Sequence, residues 1–360
     1  MEKSLYAIIL AGGSGTRFWP LSRRKRPKQV LSITGNHSLV RETVERVEGL
    51  VPRERILIVT NRHQVKTIAE QLPELDESNY LLEPMPRNTA PCIGLAAMHI
   101  QRQDPDAVML VLPSDHLIKD VPKFQKVIRQ GVSIALERDA LVTIGIPPTR
   151  PETGYGYIQF DGTENNLPEG VRLVKTFAEK PNLPTAERFV QSGDFYWNSG
   201  LFIWRADRIL AEMEEHLTIV YHHLRLIDDA WGQKSYPRIL SSRYSRIRPI
   251  SIDYGVMEVT NAPIYMLDGA FGWSDVGSWD ELYRISEKGR EGNVSVGESA
   301  LLEAHRNYIY SPGRLTAVIG IDDILVVNTP SATLICPLNR AQEVKTMVDK
   351  LYKEGREEYL

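Results

Sequence analysis

The 360-residue sequence predicts an α/β protein: a mostly parallel sheet flanked by helices, followed by a small β domain that closes with a helix. Three observations carry that expectation. Short uninterrupted apolar runs recur in the first half, each bounded by turn residues, as strands buried on both faces require. Amphipathic stretches of helical period separate them, and strand, helix, strand in repetition means parallel strands joined by right-handed crossovers. Beyond about residue 290 the apolar runs become short and closely spaced, the pattern of a compact β unit.

The elements follow in order. Tyr6-Ala7-Ile8-Ile9-Leu10, Ile56-Leu57-Ile58-Val59 and Val108-Met109-Leu110-Val111-Leu112 are the first buried strands. Between them Leu39, Val40, Thr43, Val44 and Val47 recur at helical spacing, as do Ile93, Leu95, Ala96, Ala97 and Ile100. Asp120 is the N-cap expected for a helix leading into the strand 141–146. To about residue 150 this is a doubly wound unit. Strands are then expected at 155–160, 172–177 and 198–204, and a helical stretch over 207–240. In the terminal unit, strands are expected at 294–296, 308–310, 315–320 and 324–327, then a helix over 340–352 with Val344, Met347, Val348 and Leu351 on one face. The resulting division is 1–285 for a large domain and 286–360 for a small one.

Composition removes several classes. With 42% hydrophobic and 25% charged residues, 25 Gly and 22 Pro, the chain is neither disordered nor collagen-like. Its formal charge of −3 gives no overall attraction to nucleic acid or acidic membrane, so anion binding must be local. Cys92 and Cys336 are the only cysteines, and they form neither a disulfide framework nor a zinc pattern. No apolar run approaches the ~18 residues that span a bilayer. The apolar stretch after Lys3 is short for a secretion signal, and a glycine loop and a basic cluster follow it, so a cytoplasmic protein is expected.

Leu10-Ala11-Gly12-Gly13-Ser14-Gly15-Thr16-Arg17 follows the first strand directly. Glycines allow a tight turn whose N–H groups approach a ligand, and a run of such groups cradles phosphate oxygens. Arg17 adds a bidentate charge. No Gly-Lys-Ser/Thr closes the loop, so it is not a P-loop. Residues 1–28 carry Lys3, Arg17, Arg23, Arg24, Lys25, Arg26 and Lys28 against Glu2 alone. Without further basic stripes or interleaved aromatics, that cluster fits a polyphosphate pocket better than a nucleic-acid surface.

The string from Leu10 to Leu21, with Phe18-Trp19-Pro20-Leu21-Ser22, and then Arg26-Pro27-Lys28-Gln29, resembles the opening motif of the sugar-1-phosphate nucleotidyltransferases, in their mannose-1-phosphate guanylyltransferase branch. The resemblance extends from Leu5 to about Leu351. It implies the nucleotide-diphospho-sugar transferase fold, a Rossmann-like mixed sheet. It also implies a glycine loop, Leu10 to Thr16, wrapped around a triphosphate whose charge Arg17 and Lys28 stabilise. Glu83-Pro84-Met85-Pro86-Arg87-Asn88-Thr89 lies before a helix N-terminus, which reads on its own as a capped turn. Its similarity to the family's base- and ribose-holding segment makes Glu83, Arg87, Asn88 and Thr89 nucleotide-site candidates.

Pro113-Ser114-Asp115-His116 ends the strongest strand, where ligands of open α/β sheets gather. With Gly272-Trp273-Ser274-Asp275-Val276-Gly277 it resembles the family's metal motifs, which puts Ser114 on the nucleotide and gives Asp115 and Asp275 a Mg²⁺ ion or another divalent cation. His116 has no partner at ligand spacing and reads as structural. Tyr155, Gly156, Glu179, Lys180, Asn198 and Ser199 lie in strings resembling the sugar-contacting motifs: Glu179 would accept from hydroxyls and Lys180 would bind the sugar phosphate.

The reaction this resemblance implies is GTP plus α-D-mannose 1-phosphate giving GDP-mannose and diphosphate. Arg17, Lys28, Asp115, Lys180 and Asp275 would be its catalytic groups. A nucleotidyltransferase for another sugar 1-phosphate and a noncatalytic nucleotide-sugar sensor remain open at this point. Some bacterial relatives carry a further isomerase domain of the cupin type, for which the chain leaves no room, so transferase activity alone is expected. The apolar segments 315–319 and 324–327 suggest a homodimer.

Overall fold

The computed structural model describes residues 4–13, 15–163 and 167–360. Along the chain run β1 (Leu5–Leu10), α1 (Leu39–Val47), β2 (Ile56–Asn61), α2 (Val65–Ala69), β3 (Tyr80–Glu83), α3 (Thr89–Gln101), β4 (Val108–Pro113), β5 (Leu117–Ile118) and α4 (Val121–Arg138). Then come β6 (Leu141–Ile146), β7 (Tyr157–Asp161), β8 (Val171–Ala178), α5 (Leu183–Ser192), β9 (Phe195–Arg205), α6 (Ala206–His216), α7 (Thr218–Asp228) and α8 (Tyr236–Tyr244). The chain continues through β10 (Ile264–Asp268), β11 (Trp273–Ser274), α9 (Trp279–Ile285), β12 (Val294–Leu302), β13 (Tyr308–Ile319), β14 (Ile324–Asn328), β15 (Thr333–Pro337) and α10 (Val344–Lys353).

Nine strands form one sheet in the order β3-β2-β1-β4-β9-β6-β10-β8-β7. The left part, β3-β2-β1-β4, is parallel, as the alternation of apolar runs and amphipathic helices requires. The doubly wound pattern is interrupted at its centre, because β9 enters antiparallel between β4 and β6. Its end explains this: Leu201-Phe202-Ile203-Trp204 is buried without alternation, so it belongs between other strands rather than at an edge. One face of the sheet carries a core with α1, α2 and α4 against Ile9, Leu110 and Ile203; the other buries Ile8, Met109 and Trp204 under α3, α6 and α7. Asp120 caps α4 as expected, its side chain accepting from Lys123 N–H.

Three expectations are corrected in detail. The helical stretch 207–240 is three helices, α6 to α8, broken at Leu217 and again between Asp228 and Tyr236. The strands expected at 308–310 and 315–320 are one strand, β13, whose pairing with β12 shifts register between Gly297 and Ser299. The terminal helix begins with a 3₁₀ segment, Leu338–Glu343, before α10.

β12, β13 and β14 pair in parallel and β15 closes their sheet antiparallel. A third core crosses from this sheet into the rest of the chain. Phe18 and Trp19 after the glycine loop, Val276 and Trp279 beside Asp275, and Tyr308, Leu325 and Leu351 pack together. The indole N–H of Trp279 donates to the carbonyl of Trp19 at 3.3 Å. The terminal unit thus shares its core with the two loops that matter most for the site.

Candidate active site

The glycine loop leaves β1 at its carboxyl end and is held from behind by side chains. Gln29 donates to the carbonyls of Ala11 (3.0 Å) and Gly13 (3.1 Å), Gln64 donates to Gly13 (3.1 Å), and Thr60 donates to Ala11 (2.9 Å). These bonds fix the backbone of the loop beside the cavity that Gly12 and Gly13 line. Gly15 has φ +61°, and a Cβ there would lie 2.3 Å from Lys28 Cβ and 2.9 Å from Lys28 N. Only glycine fits this close approach. Ser14 lies outside the described residues.

Lys28 is 5% exposed. Its ammonium donates to Asp115 Oδ2 at 2.9 Å and to the backbone carbonyl of Asp275 at 2.7 Å, and it lies 5.7 Å from the centre of the Phe18 ring. The two aspartates meet because β5 and β11 pair antiparallel, Leu117 opposite Ser274 and Ile118 opposite Trp273. Asp115 precedes one strand and Asp275 follows the other, so both fall at the same end. Burial works against charge on Asp115, but Lys28, with His116 and Arg17 adding, outweighs it and holds the carboxyl below the usual aspartate range.

Asp275 Oδ1 accepts from Tyr155 OH at 2.8 Å and from Gly277 N–H at 2.9 Å. A Cβ on Gly277 would press to 2.7 Å from Asp275 Oδ2. His116 Nδ1 accepts from Trp273 Nε1–H at 3.1 Å, and burial pushes its pKa down to about 4. Among the described residues, no three or more His, Cys, Asp or Glu side chains are arranged to hold a metal ion. Asp115 Oδ1 and Asp275 Oδ2 remain as outer carboxylate oxygens. Two such oxygens suit a Mg²⁺ ion completed by substrate phosphates and water, and not an all-protein cage.

A cavity of about 340 Å³ opens beside this cluster, lined on one side by Leu10, Gly12, Ser114 and Asp115 and on the other by Glu83, Arg87, Asn88 and Thr89. That is within the size of a small-molecule site. The helix N-terminus at its edge is not the anion site that free N–H groups would make. Thr89 N–H is taken by Asn88 Oδ1, Ala90 N–H by the Ile250 carbonyl, and Pro91 has none. Thr89 Oγ1 in turn accepts from Ile252 N–H, and Arg87 donates to the Ser245 carbonyl at 2.6 Å. Glu83 is buried, with Tyr244 OH donating to Oε1; burial raises its pKa to about 7, against the pull of that hydrogen bond.

On the far side of Asp275, Tyr155 stands edge-on to Trp197 and Trp273. Gly156 lies against Glu179 and Asn198; a Cβ would be 3.2 Å from Glu179 Cδ and 3.4 Å from Asn198 Cβ. Lys180 Nζ pairs with Glu179 Oε2 at 3.1 Å and is otherwise well exposed. Ser199 differs from expectation: its hydroxyl is buried and donates to the Ile144 carbonyl at 2.6 Å, so it holds strands together.

The basic cluster also differs. Among its described members only Lys28 contacts the aspartates. Arg17 is exposed and meets Gln342 of the terminal unit, while Arg24 pairs with Glu357 at 2.8 Å and Arg23 with Ser331 Oγ at 2.7 Å. Thr16 likewise faces a separate cavity with Trp19, Arg24 and Tyr352. The terminal unit's own charges and hydroxyls absorb this part of the cluster.

Sequence reasoning missed Gln64, Tyr244 and Asp253. Asp253 is half-buried beside Glu179; desolvation and that neighbouring charge raise its pKa, and its Oδ1 accepts from Asn198 Nδ2–H at 2.8 Å. It opens a short π-helical segment, Asp253–Met257, where no periodicity singles it out. A lone Gln ahead of a helix or Tyr at a helix end carries no chemical signal either; only the fold brings Gln64 to the glycine loop and Tyr244 to Glu83.

A glycine loop at the carboxyl end of parallel β1, with a buried lysine that joins Asp115 after parallel β4 to the Asp275 backbone, defines a phosphate-handling α/β protein. A model of the Nucleotidyl transferase family matches residues 6–292, and one of a MannoseP isomerase/GMP-like beta-helix domain matches residues 297–351. The chain belongs to the nucleotidyl transferase family. Its terminal parallel strands are therefore a β-helix domain, more specific than the small β domain expected. The chain is 40% identical over 359 residues to the mannose-1-phosphate guanylyltransferase of Salmonella montevideo, covering 98% of this chain and 75% of that protein. To the protein of the same name from Escherichia coli it is 38% identical over 365 residues, covering 99% and 76%. Among solved structures, one described as a mannose-1-phosphate geranyltransferase from Thermus thermophilus superposes with a TM-score of 0.87 at 31% identity, covering 97% of this chain and 99% of that one.

The raised Glu83 pKa makes a signed prediction. Because its folded pKa of about 7 lies above the ordinary glutamate value, the stability linked to its proton is full below about pH 4.5 and is lost as pH rises through 7. Glu83→Gln removes that dependence. From urea unfolding, the variant should gain up to about 3 kcal/mol relative to the parent between pH 4.5 and pH 8. A difference independent of pH would contradict the burial argument.

Proposed function

We propose that the protein is a mannose-1-phosphate guanylyltransferase, joining GTP and α-D-mannose 1-phosphate to give GDP-mannose and diphosphate. The observation that carries this reading is the position of Lys28. It sits between Asp115, which lines the nucleotide cavity, and Asp275, whose carboxylate is bonded to Tyr155 of the opposite side. Relatives of that name, matched over 98 and 99% of this chain, support the choice of substrates.

The attacking atom is an oxygen of the sugar phosphate, largely ionised at neutral pH since a phosphomonoester loses its second proton near pH 6. No general base is required. The protein's work is in-line positioning and cancellation of charge. The glycine loop holds the triphosphate through backbone N–H groups, Arg17 steadies the departing diphosphate, and Lys28 neutralises the α-phosphate. Glu179 and Asn198 fix the sugar hydroxyls while Lys180 exchanges its pairing with Glu179 for the sugar phosphate. A divalent cation, which Asp115 and Asp275 would hold, supplies further neutralisation of phosphate charge. Glu83, with Arg87, Asn88 and Thr89, forms the base and ribose side.

The protein acts in the cytoplasm as a homodimer on this reading. Leu302, Leu315, Ile319 and Ile335 of the β-helix domain are 58, 62, 66 and 65% exposed, apolar surface for a second copy to cover. The segment 324–327 contributes little to that surface, because Leu325, Val326 and Val327 are buried.

Asp275→Ala should lower kcat for diphosphate release by about a hundredfold or more with the fold intact by circular dichroism. Lys180→Ala should raise KM for mannose 1-phosphate about tenfold while KM for GTP stays within about twofold. Near-normal turnover in the first variant, or a change confined to GTP in the second, contradicts the assignment. Sedimentation equilibrium should give a dimer that Leu315→Asp converts to monomer; a parent monomer at all concentrations contradicts the dimer.

A further inference from the structure

We propose that Gln342 of the β-helix domain is a positioning residue for Arg17, so that the second domain sets the geometry of the triphosphate site. This deepens the proposed reaction and rests on Arg17 serving the triphosphate.

Gln342 lies in the 3₁₀ segment ahead of α10 and makes contacts on both sides of the site entrance. Its amide oxygen accepts from Arg17 Nη1 at 3.4 Å, and its amide nitrogen donates to Ser278 Oγ at 2.8 Å and lies 3.5 Å from Asp280 Oδ1. The polarity of the amide suits both neighbours: its acceptor meets a cation, and its donor meets a hydroxyl and a carboxylate. Ser278 stands three residues after Asp275 on the segment that leads into α9, and its own hydroxyl bonds Asp280 Oδ1. One side chain from a different domain therefore spans the gap between the glycine loop and the Asp275 loop.

The span rests on a fixed base. Ala341 beside it is fully buried in the core that also contains Phe18, Trp19 and Trp279. Arg17, by contrast, is exposed, and a free arginine samples many rotamers. An amide held at a fixed distance from the Asp275 loop limits that freedom and sets the guanidinium relative to the aspartate cluster, where its charge already acts on Asp115. Preorganised charge stabilises a developing anion better than charge that must first be gathered.

The test is a double-mutant cycle with GTP dissociation constants from calorimetry and kcat/KM for GTP as readouts. In the full chain, Gln342→Ala should weaken GTP binding and lower kcat/KM about tenfold without changing KM for the sugar phosphate, whereas in an Arg17→Ala background it should change either by less than about twofold. Gln342→Met, which keeps length but neither donor nor acceptor, should match Gln342→Ala and serves if the alanine variant does not fold. Equal losses in both backgrounds, or no loss in the single variant, would overturn the proposal. If the parent releases no diphosphate from GTP and mannose 1-phosphate, the proposed function fails instead, and the binding cycle still decides the role of Gln342.

Discussion

The site is organised around one buried ammonium. Lys28 has almost no contact with water, and a cation so placed requires close acceptors. It finds the Asp115 carboxylate and the Asp275 carbonyl, which belong to segments far apart in sequence. Gly15 allows the lysine backbone to come within contact of the glycine loop, and Phe18 covers the ammonium from another side. Any change in the loop, the strand ends or the β5–β11 pairing therefore registers at one atom. In the proposed reaction that atom stands where two anionic substrates must be brought together.

The β-helix domain is part of this arrangement and not a separate appendage. Its core is completed by Phe18, Trp19 and Trp279, residues that flank the glycine loop and the Asp275 loop. Its chain end pairs with Arg24, and Trp19 Nε1 donates to the Tyr359 carbonyl at 2.8 Å. A loop built from glycine is easy to bend and hard to hold. Packing its aromatic continuation into a second domain restrains it from outside the cavity.

The first half of the fold was legible because its strands are buried on both faces; β1, β2, β4 and α1 fall where the apolar spacing puts them, and α4 opens at the Asp120 cap. The antiparallel entry of β9 was not, since a buried apolar run carries no sign of its direction. For the site, motif-bearing residues such as Lys28, Asp115 and Asp275 could be singled out, and the structure brings them together. The basic cluster misled because charge in sequence does not say which neighbour will claim it: Glu357 and Ser331 took Arg24 and Arg23. Ser199 misled similarly, since a hydroxyl beside a motif asparagine turned inward to a strand carbonyl. Gln64, Tyr244, Asp253 and Gln342 act only through tertiary placement, which no local pattern encodes.

A crystal structure of the protein with GTP tests the central claim most directly. The account predicts the triphosphate lying over Gly12 and Gly13, with an oxygen of the α-phosphate within hydrogen-bond distance of Lys28 Nζ. A nucleotide bound elsewhere, with Lys28 contacting only Asp115 and the Asp275 carbonyl, would contradict it.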